Sequence, residues 1–313
     1  MSAFQPVDTF QPLAGLRVLD FSHVIAGPFA TFLLAQLGAQ VTKVEGAGGD
    51  VMRRTERGRQ GFVALNAGKD HLTLDLATDE GRRHAVALAA TCDVVPGVLE
   101  RFGLGYEAVR AQHPGVIYCS ISGFGRGAPA WQQRSAYDHV VQAITGMAWL
   151  GGQEGDPPLK TGFPVVDAAT GMLAALAVLA ALRERDRTGS GMLVDVSMVG
   201  AGLQLMYPMA CDALTSGSTP PRVGNQGYSG SPAADFFPTR DGWLAIGANT
   251  PRQLSGWCER FAHVGAVTRV CLCRLAEVRH LTVAAPLCIA LHWAIDDRHH
   301  FGRPWLPKAL PED

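Results

Sequence analysis

The chain has 313 residues, 47% hydrophobic and 18% charged, with a formal charge of −1, enough apolar material for one large core or two unequal ones. A near-neutral balance without a basic stripe argues against a nucleic-acid partner. The seven cysteines, Cys92, Cys119, Cys211, Cys258, Cys271, Cys273 and Cys288, form no CxxC pair and no metal-type spacing with histidine, so reduced thiols and no metal are expected.

The opening segment MSAFQPVDTFQPL has neither a basic flank before an apolar stretch nor a small-residue cleavage site. It does not read as a secretory signal, and a cytoplasmic location is expected. Residues 16–21 follow as a short apolar strand, SHVIAGP as its turn, 29–37 as a helix closing at Gly38, and 40–45 as the next strand. Strands near 72–76, 92–95 and 116–121 and helices near 79–91 and 105–113 continue this alternation, which predicts an α/β fold with an open parallel sheet. Ligands bind such sheets at the carboxyl edge, where the first turn lies. That turn lacks the G-x-G-x-x-G fingerprint of dinucleotide binding, and no G-x-S-x-G elbow of a serine hydrolase occurs anywhere.

Residues 162–171 read GFPVVDAATG, and from Ala168 an apolar run continues to Leu182, turns to RERDR and stops at Gly189. Basic residues in the last turn with glycine beyond them mark a helix end. Asp167 is then predicted as the N-cap, kept ionised by backbone N–H groups and the positive helix end. Such a carboxylate can attack a carbonyl; the alternative is that Asp167 is a cap and nothing more. The helix counted from Ala168 falls short of the roughly 20 residues that span a bilayer, so it is expected as a buried core helix, with no membrane association.

Eight blocks occur in order between residue 13 and about 258: RVLDFSHVIAGPFATFLLAQLGAQVTKVE at 17–45, LNAGKDHLTLDL at 65–76, PGVLERFGLGYEAVR at 96–110, IYCSISGFGRGAP at 117–129, SAYDHVVQAITG at 135–146, the Asp167 block, RTGSGMLVDVSM at 187–198 and FFPTRDGWLAIGA at 236–248. Through them the chain resembles the class III coenzyme A transferases, the CaiB/BaiF family, which includes formyl-CoA and succinyl-CoA dependent enzymes. The resemblance implies a Rossmann-like large domain over 1–200, a linker over 201–221, a partial smaller α+β domain over 222–260, and a tail over 261–313 that departs from the family. It also implies an interlocked homodimer.

By the same resemblance Asp167 is the nucleophile of a ping-pong exchange between an acyl-CoA donor and a carboxylic acid acceptor, through an aspartyl-CoA thioester. Coenzyme A thioester is then a substrate, and no permanently bound cofactor is expected. The family holds coenzyme A with backbone at Ile25 and Ala26 and with Arg101, and places a basic residue at Lys69; Tyr137 belongs to the same cofactor side. Gly227 and Gly230, in the loop GNQGYSGS, are implied to cover the intermediate, with plain turn glycines as the alternative. A sister branch racemises 2-methylacyl-CoA with a His–Asp pair in the block matched by Ala136–Tyr137–Asp138; Tyr137 takes the place of the histidine, which disfavours that chemistry. Ile25, where formyl-CoA enzymes place Gln, disfavours that subclass.

Three departures from the family pattern support the opposing reading of a truncated, catalytically silent relative. Val95 meets Pro96 directly, without the usual short cofactor-facing piece. Gly46 replaces a basic residue after the second strand. The tail reads as a shifted frame or a divergent end, too short to return to the large domain, and it is expected to leave apolar surface uncovered.

Overall fold

The computed structural model describes residues 10–131, 134–231, 233–238 and 243–261. They divide into two units, one ending at Arg222 and the other beginning at Val223. The tail from Ala262 onward, with its cysteines and histidines, lies outside the described residues.

In the first unit strands and helices alternate: β1 (Arg17–Asp20), α1 (Ala26–Gln36), β2 (Gln40–Glu45), α2 (Glu56–Asn66), β3 (Asp70–Thr73), α3 (Asp79–Ala89), β4 (Val94–Pro96), α4 (Tyr106–Gln112), β5 (Ile117–Ser122), α5 (Asp138–Ile144), α6 (Met147–Leu150), α7 (Val165–Thr188), β6 (Met192–Ser197), α8 (Met198–Leu205) and α9 (Tyr207–Ser216). The six strands are parallel, in the order β3-β2-β1-β4-β5-β6. Val18 lies opposite Val41 on one side and Val94 on the other. This is the expected α/β, Rossmann-like open parallel sheet. Its order reverses between β1 and β4, so the ligand crevice of such a sheet opens at their carboxyl ends.

The strands read as near-continuous apolar runs because both faces are covered. Val18, Val41, Val94 and Ile117 join Leu34 of α1 and Ala174, Val178 and Leu182 of α7 in one core. Leu19, Val44, Val95 and Tyr118 join Ala85 and Ala89 of α3 and Val109 of α4 in the other. Helices α1 and α7 therefore share a face, and they meet closely at Gly171. A Cβ there would stand 2.7 Å from the carbonyl oxygen of Ala26 and 3.0 Å from the Phe29 ring.

Several boundaries differ from the expectation. Helix α1 starts at Ala26, so the first turn is three residues shorter than read. Helix α2 was not foreseen, because two glycines in ERGRQGFVALN weaken its helical pattern; Thr55 caps it by accepting the N–H of Gly58 at 3.0 Å. The expected linker over 201–221 is mostly helical, with proline in the first turn of α9 and Gly217 (φ 71°) closing it. Helix α7 has 24 residues and is long and apolar enough to cross a membrane by length and composition, which corrects the expectation that it is too short. Its Ala174, Ala175, Val178, Ala181 and Leu182 are nonetheless buried in the sheet-facing core. Met172 and Leu176, on its other side, are exposed.

In the second unit β7 (Ala234–Pro238) and β8 (Trp243–Gly247) form an antiparallel pair, with Ala234 opposite Gly247, and α10 (Pro251–Phe261) follows.

Candidate active site

At the carboxyl end of β1 a buried ionic network replaces the apolar core. Asp20, closing the strand, accepts the N–H and hydroxyl of Ser22 (2.9 and 2.5 Å), the hydroxyl of Thr31 (2.6 Å) and the Lys69 ammonium (3.2 Å). Burial opposes its ionisation, but Lys69 and Lys43 outweigh that and hold the carboxyl below its usual range. Lys43 of β2, buried alongside, donates to the Ser22 carbonyl at 2.7 Å and lies 3.7 Å from Asp50. Asp50 accepts the N–H groups of Val24 and Met52, each at 3.0 Å. Burial is again outweighed there, by His23, these N–H groups and Lys43, so Asp50 is held far below the usual carboxylate range. Glu45 takes the N–H of Asp50, two bonds from Arg53 (3.0 and 2.6 Å) and His71 Nε2 at 2.6 Å.

This network fixes the turn from Ser22 to Ile25, with Val24 in the left-handed region at φ 68°. The turn delivers the chain into α1, whose cap position, Ile25, supplies no side-chain acceptor. Among the described residues the first N–H groups of α1, at Ala26 and Gly27, are therefore left for a ligand, at the positive end of the helix.

Asp167 lies close by in the fold. It is the third residue of α7 and not its cap; the cap position is Pro164, which offers no side-chain acceptor. The missing acceptor comes from α5, where Asp138 Oδ2 takes the N–H of Val166 (2.7 Å) and of Asp167 (3.1 Å). One helical turn beyond Asp167, Gly171 rests on the Ala26 carbonyl, so α7 meets the start of α1 at that point. The Asp167 carboxylate itself has no hydrogen-bond donor among the described residues. Burial first, and the charge of Asp138 second, push its pKa up to about 6. This corrects the expectation of a strongly ionised cap, because the helix N–H groups that would have lowered it are taken by Asp138.

The other candidates sit as follows. Ile25 is half-buried and Ala26 buried, both at the start of α1. Lys69 is neither a surface charge nor a free cation: its side chain is 1% exposed, and its ammonium also donates to Pro28 O (2.9 Å), Thr31 Oγ1 (2.8 Å) and Asn66 Oδ1 (2.8 Å). Burial pushes its pKa down to about 8, against the pull of Asp20. Arg101 is exposed, with its guanidinium 4.6 Å from the Phe102 ring. Tyr137 is exposed at the cap position of α5 and stacks on His139. Gly227 and Gly230 belong to the second unit, where Gly230 has φ 68° and its N–H donates to Gly227 O; a Cβ on Gly227 would touch Ala234 at 3.0 Å.

Comparison with known proteins gives this site its context. The family model described as CoA-transferase family III matches residues 13–272. The chain belongs to CoA-transferase family III. It is 36% identical over 265 residues to succinyl-CoA:glutarate CoA-transferase of Mus musculus, covering 80% of this chain and 60% of that protein. It is 38% identical over 268 residues to succinyl-CoA:mesaconate CoA-transferase of Haloarcula hispanica, covering 79% and 66%. The chain thus spans about three fifths to two thirds of the length of these relatives. Among solved structures it resembles a CaiB/BaiF family protein from Brucella suis, with TM-score 0.71 and 33% identity over 80% of this chain and 70% of that one.

Within this family III chain, sequence reading missed two sets of residues. Lys43 and Glu45 carried a signal, since two charged residues inside a strand buried on both faces must find partners. The capping of α7 by Asp138 carried none, because its donor and acceptor are 28 residues apart and meet only through the packing of α5 on α7.

Proposed function

We propose that this chain is an acyl-CoA:carboxylate CoA-transferase in which Asp167 is the nucleophile. The observation that carries the reading is a half-buried carboxylate without a hydrogen-bond donor of its own among the described residues, raised in basicity, one helical turn along α7 from Gly171, which rests on the first residue of the uncapped α1. An ionised Asp167 oxygen attacks the thioester carbonyl; the C–S bond breaks, and coenzyme A leaves as thiolate from a mixed anhydride. The thiolate then attacks the Asp167 carbonyl of that anhydride, releasing the donor acid and forming the aspartyl-CoA thioester. The acceptor carboxylate repeats both steps in reverse order, which regenerates the Asp167 carboxylate with no net proton change.

Backbone at Ile25 and Ala26 holds coenzyme A in this reading, with Arg101 as a phosphate ligand. Lys69 supports the turn from behind, because its donors are already committed. Gly227 and Gly230 are proposed to shield the intermediate, and Tyr137 to line the cofactor side. Succinyl-CoA is the donor to test first, since it is named in both relatives, and their acceptors point to a dicarboxylic acid. The exposed Met172 and Leu176 of α7 and Leu203 and Leu205 of α8 support a second copy of the chain as the cover for this apolar face.

The test is intact-protein mass after mixing with succinyl-CoA, followed by hydroxylamine or borohydride trapping and peptide mapping. An adduct on Asp167 supports the transferase. Unmodified protein with no exchange from several acyl-CoAs overturns it in favour of a catalytically silent relative.

A further inference from the structure

The carboxylate of Asp138 joins two structures. Its Oδ2 closes the start of α7 on the N–H groups of Val166 and Asp167, and its Oδ1 accepts Nε2 of Gln142 at 2.5 Å. Gln142 is fully buried and passes the connection on: its Oε1 accepts the N–H of Thr161 (2.9 Å), and its Nε2 also reaches the Thr161 hydroxyl (3.0 Å), which donates to the Phe163 carbonyl (2.8 Å). The stretch from Thr161 to Asp167, which leads into the first turn of α7, is thus tied at both ends to one residue pair of α5.

We propose that Asp138 is the positioning residue of the Asp167 site, fixing the first turn of α7 through its oxygen while holding a second negative charge against the nucleophile. The inference rests on the reading of Asp167 as nucleophile and adds what sets its reactivity. Helices α1 and α8, which pack on α7, carry no titratable side chain, and strands β5 and β6, which also pack on it, carry Tyr118, Cys119 and Asp195. Helix α5 brings Asp138 and His139, and the incoming segment brings Lys160, whose Nζ donates to the Thr161 carbonyl at 3.0 Å. A carboxylate kept basic in this way is the stronger nucleophile when ionised and is silenced when protonated. The acid limb of the reaction is then shifted by Asp138 in addition to the burial of Asp167 itself.

Two variants separate charge from capping. Asp138→Asn keeps an oxygen that can accept the α7 N–H groups and removes the charge; Asp138→Ala removes both. The first readout is the carbon-13 resonance of the Asp167 carboxyl across pH in the free protein, assigned with Asp167→Asn. Asp138→Asn is expected to lower its titration midpoint by about one pH unit, with a modest fall in melting temperature because its amide NH2 faces the Nε2 that Gln142 donates to Oδ1 in the wild type. The acid limb of succinyl-CoA turnover should move with it, whereas Asp138→Ala should lower kcat at least about tenfold with KM little changed, through a displaced nucleophile. An Asp167 midpoint unmoved in Asp138→Asn, or wild-type turnover in Asp138→Ala, overturns the proposal. The resonance needs no turnover, so a wild-type chain without transferase activity would remove the functional reading while the pairing is still decided.

Discussion

The backbone N–H of Val24 donates to Asp50 Oδ2 at 3.0 Å, and Val24 is the one non-glycine residue with positive φ among those described. A β-branched residue in the left-handed region costs about 1–2 kcal/mol, so the turn holds its shape only because Asp50 and Lys43 grip it. Asp50→Asn is therefore expected to destabilise the chain and weaken coenzyme A binding. Val24→Gly, which adopts that φ without strain, should recover part of the stability lost by Asp50→Asn. A double-mutant cycle of urea unfolding checks this, and strictly additive effects would show that Asp50 does not support the strained residue.

The approach of α7 to α1 makes a second prediction. Gly171→Ala places a methyl 2.7 Å from the Ala26 carbonyl, and overpacking of this kind costs about 1–3 kcal/mol. The displaced group is the backbone that presents Ala26, so affinity for coenzyme A should fall along with the melting temperature. Calorimetric titration with coenzyme A beside a thermal melt tests it; normal affinity would mean that the first turn tolerates the shift.

What could be read from the sequence depended on whether a residue's partner was local. The strand at 40–45 was legible to the residue, because Gly38 ends the helix before it and its apolar positions need burial on both faces. The helix end at Gly189 was equally legible, since a glycine at φ 75° after Arg185 and Arg187 is a local device. The role of Asp167 was misread in one respect: a carboxylate just before an apolar run looks like a cap, while the real cap, Asp138, arrives from another helix. The partners of Lys69 were hidden for the same reason, because Asp20, Pro28 and Thr31 surround it only after β1 and β3 are brought into one sheet.

Lys69 gives a pH prediction whose sign can be worked out. Its folded pKa lies near 8, below that of an unfolded lysine near 10.4. Between these values the unfolded chain holds more protons, so this group makes stability rise with pH from about 8 to about 10.4. The depressed value is a penalty that is fully present below pH 8. Lys69→Met should remove that rise, and it should also cost about 3–5 kcal/mol at neutral pH by leaving Asp20 with a broken ion pair. Melting temperatures of wild type and variant across the window test both; parallel curves would mean that the ammonium is not the titrating group.

Asp167 works in the opposite sense. Its folded pKa, near 6, lies above the unfolded value near 3.9, so the folded state holds more protons between these values and its contribution to stability falls as pH rises through them. At about 1.4 kcal/mol per pH unit the full displacement corresponds to at most about 3 kcal/mol, which solvent access to this half-buried group reduces to about 1–2. Asp167→Asn removes the charge held against Asp138 and is expected to be more stable than wild type by that amount at pH 8, while losing the proposed transferase activity. At pH 4, where Asp167 is already protonated in the folded state, the gain should vanish. Such a trade of stability for reactivity belongs to a carboxylate held for chemistry; a variant no more stable at pH 8 than at pH 4 would show that Asp167 is under no such electrostatic load.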